Sequence, residues 1–136
     1  SQPIILIGNG TGLAGLRAHL KARAAGATRN WLLFGERNIG SDSLHGDELD
    51  AWLRDGTLER LDRVYSRDGH ALRYVQDALR AHAAVLRDWI DAGAAIYVCG
   101  SLQGMAPGVH AALVEVLGEA RMEALAAARR YRRDVY

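Results

Sequence analysis

An unbroken apolar run, Pro3-Ile4-Ile5-Leu6-Ile7, leads straight into Gly8-Asn9-Gly10-Thr11-Gly12, and Leu13, Leu16, Leu20 and Ala24 then recur at helical spacing. Strand, glycine turn, helix is the feature that most constrains the fold. A strand apolar at every position, not at alternate ones, is covered on both faces, as in a parallel sheet. The glycines let the backbone turn tightly and bring amides and a helix N-terminus up to a phosphate. Thr11 adds a hydroxyl donor. Taken alone, the pattern reads equally as an ordinary tight connection.

The same alternation continues. Trp31-Leu32-Leu33-Phe34 is a second buried strand, closed by Gly35. Leu44 to Leu53 is a short helix with Gly56 after it, and Arg60 to Tyr65 is a third, mixed strand. The spacing predicts one helix over Tyr74 to Ala92, stopped by Gly93. Ala95-Ile96-Tyr97-Val98-Cys99 is a fourth strand, ending at Gly100. A helix starts at Pro107, and an alanine-rich one covers Arg121 to Arg130. Asp134-Val135-Tyr136 adds a short final strand. The expected fold is α/β: a single domain with a doubly wound, Rossmann-like parallel sheet of about five strands and helices on both faces. Ligand then belongs at the carboxyl ends of the strands, where Gly8–Gly12, Gly35-Glu36-Arg37, Ser66-Arg67 and Cys99-Gly100 all fall.

Bulk composition narrows the function by exclusion. The 136 residues suit one domain, and a net charge of +1 favours neither nucleic acid nor a membrane surface as partner. One cysteine excludes an internal disulfide and a multi-cysteine metal site, and fits a reducing compartment. His19, His45, His70, His82 and His110 show no ligand spacing and read as surface or loop residues. No apolar run approaches the ~20 residues that span a bilayer, and the N-terminus lacks the features of a signal peptide. A start at Ser1 is expected of a piece of something longer.

Three further groups carry candidate chemistry, each with a plainer alternative. Ser66-Arg67 after a strand offers a hydroxyl and a planar guanidinium fork to a phosphate monoester, with Tyr74 and Gln76 opening the next helix; the dipeptide is otherwise a polar turn. Cys99 is equally a buried thiol at a strand end. Arg129-Arg130-Tyr131-Arg132-Arg133 is otherwise a solvated charge cluster. Glu36 and Arg37 either line the cleft or form a surface ion pair.

Together the motifs resemble the nicotinamide-nucleotide domain of the ferredoxin–NADP reductase superfamily. The glycine segment follows the family's G-x-G-T-G-(I/L)-A-P and not the dehydrogenase G-x-G-x-x-G. Gly15 stands where the family has proline, which should loosen the turn. Ser66-Arg67-Asp68 with Tyr74-Val75-Gln76-Asp77 resembles the diflavin-branch segment that recognises the 2′-phosphate and ribose of NADP. The family's lysine is replaced there by Leu72, with Arg73 beside it as a substitute. Tyr97-Val98-Cys99-Gly100-Ser101 resembles the family's Y-V-C-G-(D/S), whose thiol lies beside the hydride-bearing carbon of nicotinamide. Ser101 departs from the acidic start of the following loop, while Met105 matches. The ending Arg130-Tyr131-Arg132-Arg133-Asp134-Val135-Tyr136 resembles that of sulfite reductase flavoprotein subunits.

What the resemblance implies follows residue by residue. NADP(H) is the cofactor, bound by Gly8, Gly10, Thr11, Gly12, Arg37, Ser66, Arg67, Arg73, Tyr74, Gln76, Gly100, Ser101 and Met105. Cys99 and Asp134 set the hydride-transfer geometry, and Tyr136 covers the ring of FAD. Residues 1–136 form the NADP(H)-binding domain, the C-terminal part of a larger flavin reductase; the flavin domain is absent from the chain. That domain, on the same polypeptide, is the expected partner, with FMN a further possibility in the parent and the electron acceptor open. The expected location is cytoplasmic, with membrane anchoring of the parent left open. The alternative function is a nucleotide-responsive sensor domain without redox chemistry. A short-chain dehydrogenase is disfavoured by the lack of a Tyr-x-x-x-Lys pair.

Overall fold

The computed structural model describes residues 2–9, 13–23, 29–36, 43–65, 74–100 and 105–135. Five strands form one sheet: β1 (Ile4–Asn9), β2 (Asn30–Glu36), β3 (Arg60–Tyr65), β4 (Ala95–Gly100) and β5 (Tyr131–Val135). Their order is β3-β2-β1-β4-β5, and every neighbouring pair is parallel. The chain moves outward from β1 through β2 to β3, then crosses back to β4 beside β1. Crossovers of one hand in opposite directions put helices on opposite faces. Accordingly α1 (Leu13–Arg23) and α2 (Ser43–Arg54) cover one face. The other is covered by α3 (Val75–Ala81), α4 (Ala83–Asp91), α5 (Met105–Leu117) and α6 (Glu119–Ala127).

The central strands are apolar throughout because each divides its side chains between two cores. Ile5, Ile7, Trp31, Leu33, Ile96 and Val98 enter the α3–α6 core. Ile4, Leu6, Leu32, Phe34, Ala95 and Cys99 enter the α1–α2 core. The sheet edges carry charge instead, Arg60, Asp62 and Arg63 on β3 and Arg132, Arg133 and Asp134 on β5. Charged edges oppose pairing with another chain.

The doubly wound sheet is as expected, but several boundaries differ. Gly35 does not close β2; the strand runs through it to Glu36. The helix expected over Tyr74 to Ala92 is interrupted at His82, whose backbone (φ −108°, ψ 34°) leaves helical geometry. Its amide still donates to the Ala78 carbonyl, and its carbonyl accepts from Leu86, so the ladder bends without parting. The bend sets the His82 Nε2 3.5 Å from Asp62 on β3. The last helix lies earlier than expected, and β5 begins at Tyr131 and not Asp134.

Helix ends are closed by specific hydrogen bonds. Gly93 (φ +97°) stops α4: its amide donates to Ile90, and that of Ala94 to Trp89. The same pattern ends α6, but there the left-handed residue is Arg129 (φ 60°), with Arg130 donating to the Leu125 carbonyl. The Arg130 guanidinium then reaches across. Its Nη2 donates to the carbonyls of Ile90 (2.8 Å) and Ala94 (3.0 Å), tying the start of β5 to the end of α4.

Candidate functional site

The strand order reverses between β1 and β4, and there the carboxyl ends of the strands carry the candidate residues. Gly8 pairs in register with Cys99, and Cys99 with Asp134. Neighbouring strands lie about 4.8 Å apart, so these three residues form one short row across the sheet. A parallel register points all three toward the α1 side, where Cys99 is buried.

Packing explains one glycine of this row and one on the helix above it. A Cβ on Gly8 would stand 2.4 Å from the Cδ1 of Leu16 and 2.9 Å from the Cys99 carbonyl oxygen. Only glycine lets α1 press this closely on the end of β1. Gly15 lies inside α1, and a Cβ there would stand 2.9 Å from the Cys99 sulfur. That space seats a thiol under the helix; the turn that Gly15 is expected to loosen lies outside the described residues.

Around the row stands a polar group. The Tyr97 hydroxyl donates to the Asp134 carboxylate at 3.2 Å. The His19 ring, on α1, packs 4.2 Å from the Tyr97 ring, and the Arg132 guanidinium lies 5.8 Å from it on the β5 side. Burial pushes the Cys99 thiol above its ordinary range, and the Asp134 carboxylate pushes it further. Burial, then Asp134, does the same to the Tyr97 phenol. At neutral pH the site thus presents Cys99 as a thiol and Tyr97 as a phenol. A covalent nucleophile needs a thiolate, and this environment opposes one.

Other candidates gather at the start of α3. The Tyr74 ring is 52% exposed, which leaves it open for stacking. The Tyr74 amide donates to the Asp77 carboxylate at 3.2 Å, closing the first turn of α3. Gln76 lies against α5, its Nε2 2.8 Å from where a Cβ on Gly108 would stand. Gly100 ends β4, and Met105 opens α5. Gly10, Thr11, Gly12, Arg37, Ser66, Arg67, Arg73, Ser101 and Tyr136 lie outside the described residues.

The sequence reading gives no site role to Tyr97 or Arg132, which it quotes only within longer motifs, and takes His19 as a surface or loop residue. The signal was alternation: Tyr97 stands two before Cys99, and Arg132 two before Asp134, so each pair shares a face. It becomes legible only once β4 and β5 are known to be neighbours.

Residues 6–111, from β1 into α5, match the family described as the oxidoreductase NAD-binding domain. The chain belongs to that family. It is also 43% identical, over 146 aligned positions and 98% of its length, to the sulfite reductase (NADPH) flavoprotein alpha-component of Salmonella arizonae. It is 42% identical over 98% of its length to the protein of that name from Escherichia coli K12, and 44% to that from Citrobacter koseri. The chain spans about a quarter (24%) of the length of each of these relatives. The resemblance to the diflavin branch of the ferredoxin–NADP reductase superfamily is therefore borne out.

A nicotinamide nucleotide suits what an oxidoreductase NAD-binding domain presents here. The row lies at the strand-order reversal, where nucleotides bind in such folds. Its exposed member, Asp134, puts an acidic side chain at that reversal.

Proposed function

We propose that this chain is the NADPH-binding module of an FAD-dependent reductase, positioning nicotinamide for hydride transfer to flavin. The observation that carries this is the Gly8–Cys99–Asp134 row at the reversal point of the sheet, in a chain of this family. Bound NADPH supplies a hydride, which the flavin of an adjoining domain accepts and passes on as single electrons.

The chain's own residues do the rest by orientation and electrostatics. Gly8, Gly10, Thr11 and Gly12 leave room for the pyrophosphate and offer it amides. Ser66 and Arg67, helped by Arg73, Tyr74 and Gln76, select the 2′-phosphate. Cys99 offers a neutral, compact surface to the reacting end of the ring. The Asp134 carboxylate stabilises the ring as its charge becomes positive, and Tyr136 shields the flavin until nicotinamide displaces it. Arg37, Gly100, Ser101 and Met105 line the remaining path. Residues 1–136 constitute one such domain within a longer flavoprotein, whose flavin domain is the partner. By likeness to its relatives, the parent carries FAD and FMN and serves a sulfite-reducing partner subunit. No described helix is long and apolar enough to cross a membrane, and the reduced thiol suits a cytoplasmic setting.

Calorimetric titration with 2′,5′-ADP and 5′-AMP tests the assignment. Arg67 contributes a charge-assisted contact of roughly 1.5–3 kcal/mol, so 2′,5′-ADP should bind about tenfold or more tighter, with that advantage lost in Arg67→Ala. Equal affinities for the two ligands would sink the preference for the phosphorylated nucleotide.

A further inference from the structure

We infer that Tyr97 is a positioning residue for Asp134, fixing by its hydroxyl the direction in which that exposed carboxylate faces the reacting ring. The inference rests on the hydride-transfer function proposed above.

Asp134 needs such a partner. It sits on the edge strand β5, exposed, and a carboxylate there has several rotamers open to it. In the described structure its Oδ2 accepts from the Tyr97 hydroxyl at 3.2 Å. Tyr97 is a suitable anchor because it is itself held. Its backbone lies in β4 between β1 and β5, its ring meets that of His19 at 4.2 Å, and the Arg132 guanidinium stands 5.8 Å from the ring centroid. The hydroxyl therefore offers its proton from a fixed point, two residues before Cys99 and on the same face. Arg132, adjoining Tyr97 in register, does not take the carboxylate away: no hydrogen bond between Arg132 and Asp134 is found among the described residues.

A hydrogen bond that sets a rotamer lowers the fraction of time the carboxylate spends elsewhere. Its loss should show in the chemical step and not in nucleotide binding, because the contact orients a carboxylate toward the reacting ring and holds no phosphate. Tyr97→Phe keeps the ring and its packing and removes only the hydroxyl.

The test uses the flavoenzyme that contains this chain. Tyr97→Phe should slow NADPH-driven flavin reduction about five- to tenfold, the order expected for a lost, partly exposed hydrogen bond to a charge. The dissociation constant for NADP⁺ should stay within about twofold. Asp134→Ala should slow the same step at least as much, and adding Tyr97→Phe to Asp134→Ala should slow it no further. Independently of activity, the Cζ resonance of Tyr97 should titrate at lower pH in Asp134→Asn than in the native protein. Native-like reduction rates in Tyr97→Phe, an additive double variant, or an unmoved Tyr97 titration would each overturn the inference. A native enzyme that never reduces its flavin with NADPH would instead overturn the hydride-transfer function, leaving the Tyr97–Asp134 contact to be read from the titration alone.

Discussion

Gly8 and Gly15 show how one residue type serves two purposes in one short segment. The glycine-rich stretch is legible as a strand-to-helix connection, but the tight fit of α1 on β1 is not, because it depends on where Leu16 and Cys99 arrive. Gly8→Ala forces a methyl against a backbone oxygen at 2.9 Å, which cannot retreat as a side-chain tip can. We expect a loss of about 1–3 kcal/mol, read as a shifted urea midpoint. Gly15→Ala is a closer contest. The methyl meets the Cys99 sulfur at 2.9 Å, an overpacking cost of about 1–3 kcal/mol, offset by about 1 kcal/mol of helix propensity. The net loss of stability should be no more than about 2 kcal/mol, while the displaced sulfur reacts faster with a thiol reagent such as an aromatic disulfide. An unchanged modification rate would show that the sulfur is not held by the space at Gly15.

At the scale of elements, the central strands were readable because both cores demand apolar side chains at every position. The edge strand β5 was not fully readable, because Tyr131-Arg132-Arg133 shows neither an apolar run nor alternation; pairing to β4 makes it a strand. The bend at His82 was hidden for a related reason: the apolar spacing of α3 continues into α4, and the polar tie to Asp62 involves a strand far away in sequence. Capping followed the glycine rule at Gly93 but broke it at Arg129. A non-glycine residue in left-handed conformation costs about 1–2 kcal/mol, so Arg129→Gly should stabilise the chain by up to about 1 kcal/mol after glycine's own entropy cost. Arg130→Ala should do the opposite. It removes charge-assisted bonds to the Ile90 and Ala94 carbonyls, and we expect a loss of about 1.5–3 kcal/mol. Thermal unfolding of the two variants side by side decides both, and a stable Arg130→Ala would mean that β5 does not depend on this tie.

Across the whole molecule, the strand-end row and the two cores make one device: packing that buries the sheet also fixes Cys99 beside Asp134. Burial holds the Cys99, Tyr97 and Tyr131 protons more tightly in the folded chain than in the unfolded one. Their contribution to stability is therefore complete below the ordinary thiol and phenol range, about pH 8.5 to 10, and declines as pH rises from there toward the folded-state values. Urea midpoints measured from pH 7 to 11 should fall on the alkaline side, and Cys99→Ala should flatten the first part of that fall. A native midpoint independent of pH across this range would contradict the burial assigned to these groups.

The row itself can be observed directly. In a titration of the ¹⁵N-labelled chain with NADP⁺, the backbone amides of Gly8, Cys99 and Asp134 should shift together and saturably. Those at the opposite end of the sheet, Asn30 and Ala95 among them, should stay in place. Shifts confined to that opposite end, or none at the row when the ligand is saturating, would contradict a nicotinamide site at the carboxyl ends of β1, β4 and β5.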